Sequence, residues 1–348
     1  MVKKVYIVSY HGMKNAGGVE RVVQYLYEIM HGLSYDIEVI ERDVLLKIKI
    51  FAFLNRLLPS KVWNIFYPWL AGIYLRMVIR PNDLVITNGY NMLGFRSDIL
   101  IAHGSMRGFV NATTRLDKFS YPAYYEKLAG RSAKLILAVS ERVKEEWHKF
   151  YGVSASKIEV LNNCVDVNKF NLNITTSQKK TILFVGRLDE NKGLQKLLVL
   201  ADDIAHSSEY DLNIITNNEK NIEKFKNYLN IKIEIGLNID DISKRYTSNS
   251  ILYLPSMYEG FEMVTLEALA SGVPVLGNDV GAIHELNNKS CGVFIENKEE
   301  TLVEQFNRIF MAFDNISSRI QLRNHVVENY TIAIYKNRLK QIILRNVK

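Results

Sequence analysis

Short apolar runs that end on polar residues or glycine recur along the first half of the chain: VYIVSY (5–10), DLVITN (83–88), DILIAH (98–103) and KLILAVS (134–140). Helical periodicity fills several of the gaps, as in Val19–Met30 and Glu141–Phe150. After KIEVLNNCVDVNKF (157–170) the pattern starts again. TILFVG (181–186) is followed by a helix from about Leu194, then by DLNIIT (211–216), IKIEIG (231–236), SILYLPS (250–256) and VPVLGN (273–278). Near-continuous apolar strands alternating with helices are the pattern of a parallel sheet covered on both faces. Two such blocks predict an α/β protein of two doubly wound, Rossmann-like domains, residues 1–168 and 169–330. Ligands of such sheets sit outside the carboxyl ends of the strands, so the polar residues that end each run are the site candidates, and the cleft between two domains is the expected place for a site.

Length agrees with that division, since 348 residues exceed one ordinary domain. Only Cys164 and Cys291 occur, far apart and without metal-ligand neighbours, which points to a reducing compartment. The opening VKKVYIVSYHG has too short an apolar run for a secretory leader and reads as a first buried strand, so a cytoplasmic protein is expected.

Charge adds a second feature. The net charge is +7, and residues 1–170 hold 23 Lys/Arg against 15 Asp/Glu. Between Val44 and Asn82, Lys47, Lys49, Arg56, Lys61, Arg76 and Arg80 meet no acid. Val62, Ile65, Phe66, Trp69, Leu70, Ile73 and Met77 recur there at helical spacing. The charge-free run Val62–Leu75 is too short, and too interrupted by Pro68 and Gly72, to cross a bilayer. A basic, aromatic, amphipathic segment suits a protein lying on an anionic membrane surface. The alternative is an ordinary helix burying its apolar face in the domain core.

The chemistry concentrates in PSMYEGFEMVTLEALAS (255–271), where Glu259 and Gly260 precede a helix, expected over Phe261–Ala270, that carries Glu267. A helix start presents unpaired N–H groups and positive partial charge, which suits a phosphate. Two carboxylates flank that start and can accept hydrogen bonds from hydroxyls. An anion between two hydroxyl binders describes a nucleoside-diphosphate sugar. Arg187 and Lys192 follow TILFVG in a turn framed by Gly186 and Gly193 and offer a fork of donors and a point charge to a diphosphate.

GRLDENKG (186–193), EGFEMVTLE (259–267), the AGGVER turn (16–21) and VLNNCVDVNKF (160–170) together resemble the retaining glycosyltransferases of family 4, which have the GT-B fold. The resemblance runs nearly end to end and is most specific in the Glu-x7-Glu spacing. It implies that Arg187 and Lys192 stabilise the departing diphosphate, that Glu267 holds the ribose, and that Glu259 holds hydroxyls of the sugar. The backbone N–H groups of Phe261, Glu262, Met263 and Val264 would hold the distal phosphate. Gly17 and Gly18 would lie beside the sugar diphosphate and the acceptor, and His103 near the transferred sugar. The segment of about 331–348 resembles the helix by which the chain returns to the first, acceptor-binding domain.

Two departures stand out. Glu262 occupies a position that is usually small, often glycine, and puts a third carboxylate near a diphosphate unless it points away. Thr216, Asn217 and Asn218 replace the usual Gly-x-Gly near the base, so the loop does not name the nucleotide; a UDP-sugar ranks first and a GDP-sugar second. Ser140 and Glu141 match a cleft-wall position or form a plain helix N-cap. No metal is implied, because the cations and the helix dipole take its place. The expected activity is hexosyl transfer to a membrane-associated glycan or glycolipid at the inner face of the cell membrane. A nucleotide-sugar epimerase or hydrolase is the alternative, with a basic nucleic-acid-binding protein further behind for want of any recognition motif.

Overall fold

The computed structural model describes residues 4–13, 18–57, 59–113, 120–175, 179–287 and 291–346, without the side chains of Ser60 and Lys61. The chain divides into two compact units. One comprises Met1–Asn163 with Tyr335–Lys348, and the other Cys164–Ile334.

The first unit is built on six strands, β1 (Lys4–Val8), β2 (Asp36–Ile40), β3 (Leu84–Asn88), β4 (Ile99–Ala102), β5 (Leu135–Ala138) and β6 (Ile158–Val160). They are all parallel, in the order β2-β1-β3-β4-β5-β6. The central β3, β4 and β5 are buried at every position, in keeping with the unbroken apolar runs of β4 and β5 and the Leu84–Ile86 run that opens β3. The second unit repeats the plan with β7 (Lys180–Val185), β8 (Tyr210–Thr216), β9 (Ile231–Ile235), β10 (Ser250–Leu254), β11 (Val275–Gly277) and β12 (Val293–Ile295). Its order is β12-β11-β10-β7-β8-β9, again all parallel. In both sheets the order reverses beside the first strand of the unit, which opens a crevice at the carboxyl ends of the neighbouring strands.

The basic segment folds as the helices Lys49–Leu57 and Ser60–Val78. Trp63, Tyr67, Leu70, Ala71 and Leu75 turn inward onto Tyr6, Val8, Ile40 and Val85 of the sheet. The periodic face picked out from the sequence lies mostly outside: Phe66, Trp69, Ile73 and Met77 are exposed, as are Ile50, Phe53 and Leu57 of the preceding helix. Ser60–Val78 is apolar nearly all round, so it buries one face in the core and leaves another in solvent. No helix among the described residues is long and apolar enough to cross a membrane.

Candidate active site

In the second unit the predicted residues gather where β7 and β10 end. The turn Glu190–Lys192 follows β7 by a short loop, and the Asp189 side chain caps it by accepting from the Lys192 N–H at 3.1 Å. Gly193 then adopts φ +83°, and a Cβ there would stand 2.3 Å from the Pro255 carbonyl oxygen. Only glycine lets this loop press so closely on the one after β10. Met257 N–H donates to the Asn191 carbonyl at 2.8 Å and fastens the two loops together. As a result the Lys192 ammonium meets the Glu259 carboxylate in a half-buried ion pair. Arg187 is exposed, its Nε 3.4 Å from Asp189 Oδ2.

The helix after Gly260 spans Met263–Ala270, two residues shorter at its start than the expected Phe261–Ala270, with Glu262 as N-cap. Phe261 and Glu262 therefore stand ahead of the first turn, and Met263 and Val264 within it. Glu267 is buried, and the Tyr246 hydroxyl donates to its Oε2 at 3.4 Å.

Glu262 turns towards the start of the following helix. Its carboxylate accepts from Ala282 N–H at 2.9 Å, Ile283 N–H at 3.1 Å and Thr265 Oγ1 at 2.9 Å, so it caps the next helix, Gly281–Leu286. Gly281 sits at φ +51°, where a Cβ would lie 2.2 Å from Glu262 Oε2 and 2.7 Å from Glu259 Cβ. Burial, and then the neighbouring Glu259 charge, raise the Glu262 carboxyl well above the usual range. The acid that the sequence places beside a diphosphate is thus spent on protein backbone.

Asn278, at the end of VPVLGN, was not singled out beforehand. Its amide donates to Pro255 O at 3.0 Å and Ser256 O at 2.8 Å, while its Oδ1 accepts from Lys196 Nζ at 2.7 Å. The strand-end rule could have found it. Asn217 and Asn218 bond each other and the backbone of Lys220, forming a turn beyond β8.

In the first unit Gly17 lies outside the described residues, and Gly18 opens the helix Gly18–Gly32. His103 follows β4, with its Nε2 against Asn88 Oδ1 at the end of β3; Asn88 Nδ2 in turn donates to Ser9 Oγ at 3.3 Å. Burial holds the His103 pKa down to about 4, so the ring is neutral near pH 7. An amide oxygen only accepts, so Nε2 carries the hydrogen. Trp147 Nε1–H donates to the Gly104 carbonyl at 2.8 Å, and Glu126 accepts from Met106 N–H at 2.8 Å, which fix the loop after His103. Ser140 is a helix N-cap that accepts from Val143 N–H at 3.2 Å. Also in this unit, a pocket of about 620 Å3 opens at the ends of β1, β2 and β3. Among the described residues, no group of three or more His, Cys, Asp and Glu is placed to hold a metal ion.

Two family models divide the chain between them: Glycosyltransferase Family 4 matches residues 16–169, and Glycosyl transferases group 1 matches residues 168–319. The chain belongs to the family 4-like glycosyltransferases of GT-B fold. Among its relatives is the O-antigen chain mannosyltransferase RfbU of Salmonella typhimurium, 25% identical over 298 residues, 79% of this chain and 81% of the relative. Across the first three curated relatives the matches span 55–81% of their lengths. The fold of this family 4-like glycosyltransferase is similar to that of sucrose-phosphate synthase from Thermosynechococcus elongatus (TM-score 0.75, 15% identity, 99% of this chain and 98% of the other). It is also similar to Anabaena HepE in complex with UDP and glucose (TM-score 0.70, 15% identity, 99% and 100%).

Proposed function

We propose that this glycosyltransferase moves a hexose from a nucleoside-diphosphate sugar, a UDP-sugar in the first place and a GDP-sugar in the second, to a hydroxyl of a membrane-anchored glycan or glycolipid. Transfer retains the anomeric configuration and needs no metal ion. The observation that carries the reading is the meeting of Lys192 and Glu259 beside the amino end of Met263–Ala270. A cation for the diphosphate, helix N–H groups for its distal phosphate and a carboxylate for sugar hydroxyls form the set a nucleotide sugar requires. Two named relatives support it: RfbU by its role as an O-antigen mannosyltransferase, and HepE by its complex with UDP and glucose.

No carboxylate is assigned as a nucleophile, so attack is front-face. The bond from C1 to the diphosphate oxygen breaks, the acceptor oxygen bonds C1 on the same face, and the acceptor proton passes to the leaving phosphate. Arg187 and Lys192 stabilise the charge that grows on that phosphate, the part a metal plays elsewhere. Glu267 takes the ribose hydroxyls. His103, Gly17 and Gly18 are assigned to the surroundings of the transferred sugar on the resemblance alone.

The outward stripe of Ile50, Phe53, Leu57, Phe66, Trp69, Ile73 and Met77, set among Lys49, Arg56, Arg76 and Arg80, supports a peripheral seat on an anionic membrane. Flotation with anionic liposomes should retain the wild type and release a variant with the window's Lys and Arg changed to Gln. The donor is tested by thermal shift against UDP-, GDP- and ADP-sugars, because a bound donor stabilises the fold by mass action. One UDP-sugar should raise Tm and yield a glycosylated product with a lipid-extract acceptor. If no nucleotide sugar shifts Tm, or if chelation abolishes transfer, the corresponding part of the proposal fails.

A further inference from the structure

One short segment, Asn278–Ile283 between β11 and the body of the helix Gly281–Leu286, grips both ends of the loop that carries Glu259. At the start of that loop the Asn278 amide donates to the Pro255 and Ser256 carbonyls at 3.0 and 2.8 Å. At its end the Ala282 and Ile283 N–H groups donate to the Glu262 carboxylate at 2.9 and 3.1 Å. Glu259 lies between the two grips, and Gly281 passes directly against it. A Cβ on Gly281 would stand 2.7 Å from Glu259 Cβ and 3.3 Å from its carbonyl carbon. The loop is therefore held at its start, middle and end by one stretch of chain.

The grip at the start is itself fixed. Lys196, on the helix Leu194–Ile204, donates to Asn278 Oδ1 at 2.7 Å and to the two Glu296 oxygens at 2.8 and 2.9 Å. The Tyr253 hydroxyl donates to Glu296 Oε2 at 3.2 Å. An ammonium only donates, so it holds the amide oxygen to its own side and leaves the NH2 group for the two carbonyls. Asn278 N–H donates to Leu254 O at 3.2 Å and Glu296 N–H to Gly277 O at 2.8 Å, which ties the cluster to the ends of β10 and β11. Charge-assisted bonds are among the stronger ones, and a binding group is held precisely only when the groups behind it are locked.

We propose that Asn278 and Glu262 are positioning residues of the donor site. They hold Glu259 where its carboxylate meets Lys192 and the sugar hydroxyls, and Lys196 and Glu296 fix the orientation of Asn278. This rests on the transferase reading above and deepens it by naming what sets the sugar-binding carboxylate in place. Neither side chain is assigned a contact with the donor; each acts through Glu259.

The near-isosteric changes Asn278→Asp and Glu262→Gln test it. The first keeps an oxygen for Lys196 and sets the other against two carbonyls. The second meets one of the two N–H groups with an NH2 group. In the ligand-free protein the nitrogen-15 signal of the Lys192 ammonium, assigned by its absence in Lys192→Arg, should move in both variants towards its position in Glu259→Gln. Calorimetry with UDP, GDP, UDP-glucose, UDP-galactose and GDP-mannose then reads the donor site. Whichever sugar adds affinity to its nucleotide in the wild type should lose about tenfold of that gain in each variant, with the nucleotide alone bound about as well as before. In a Glu259→Gln background either change should cost little more, because a residue acting through Glu259 has nothing left to position. A Lys192 signal unmoved in both variants would overturn the proposal. So would a lowered Tm with the sugar gain intact, or the full loss repeated in the Glu259→Gln background. If the wild type binds none of the nucleotides, the transferase reading fails, and the Lys192 signal still decides whether Asn278 and Glu262 position Glu259.

Discussion

The ammonium of Lys192 rests on the carboxylate of Glu259, a residue 67 positions later in the chain, and both are half-buried. The pair forms because a turn after β7 and a loop after β10 are stitched together by Met257 N–H and Asn191 O. It places a charge for a diphosphate next to an acceptor for sugar hydroxyls, and the two should be separable by experiment. Lys192→Ala should weaken UDP and UDP-sugar alike and lower turnover about 10²–10³-fold, the scale of losing a preorganised charge stabiliser. Glu259→Gln should spare UDP and weaken only the UDP-sugar. Calorimetric titration of both ligands into both variants decides it, and a loss of UDP affinity in Glu259→Gln would contradict the division of roles. The pair Arg187→Ala with Lys192→Ala should remove transfer to at least the same extent.

Gly193→Ala tests whether the loop contact, rather than Lys192 alone, makes the site. Alanine at φ +83° is strained, and its Cβ would collide with Pro255 O. The loop must retreat and carry Lys192 from Glu259. Transfer should fall by tenfold or more with the lysine still present, and Tm should drop. A variant with native turnover would show that Lys192 works without this contact.

Much of this was legible from sequence, and the reasons are local. β4 and β5 are uninterrupted apolar runs of four residues, and β3, β7, β8 and β10 are apolar-rich strands of five to seven residues with polar residues mostly at their ends, which the apolar pattern finds directly. β2 escaped because DIEVI carries two acids on a partly exposed edge strand, and β6 and β12 because they are three-residue edge strands. The direction of Glu262 could not be read, since it depends on backbone N–H groups some twenty residues later that turn back at Gly281. The face of Ser60–Val78 was ambiguous for a different reason. Trp63, Tyr67, Ala71 and Leu75 repeat at helical spacing as well as the exposed stripe does, and periodicity does not rank two apolar faces.

Asn88 and His103 offer a test with a spectroscopic reading. Asn88 Oδ1 accepts from the neutral ring, whose pKa is held near 4 by burial. Asn88→Asp sets a carboxylate at the same place and should raise that pKa by stabilising the imidazolium. Carbon-detected titration of the ring should show the midpoint moving towards 6 or above. If His103 contacts the sugar as a neutral ring, the acid limb of the rate profile should move up in pH with it. An unmoved midpoint would mean that the two side chains do not share a hydrogen bond.

Glu126 sets a pH dependence of stability whose sign follows from its surroundings. It accepts from the Tyr151 hydroxyl and Met106 N–H, but burial outweighs both and pushes its pKa from 4.5 up to about 7. Below the unfolded value both states hold the proton and no difference arises. Between about 4.5 and 7 the unfolded chain has released it while the folded chain keeps it, so stability falls as pH rises through that window, by at most ~3 kcal/mol. Glu262 acts in the same direction for the same reason. Glu126→Gln keeps an acceptor oxygen for Met106 N–H and has no charge to desolvate. The variant should be near wild-type in Tm at pH 5 and more stable than wild type at pH 8, as read by thermal unfolding at both values. A wild type more stable at pH 8 than its Gln variant would show that the ionised carboxylate is satisfied in the fold, and that the Tyr151 and Met106 hydrogen bonds outweigh its burial.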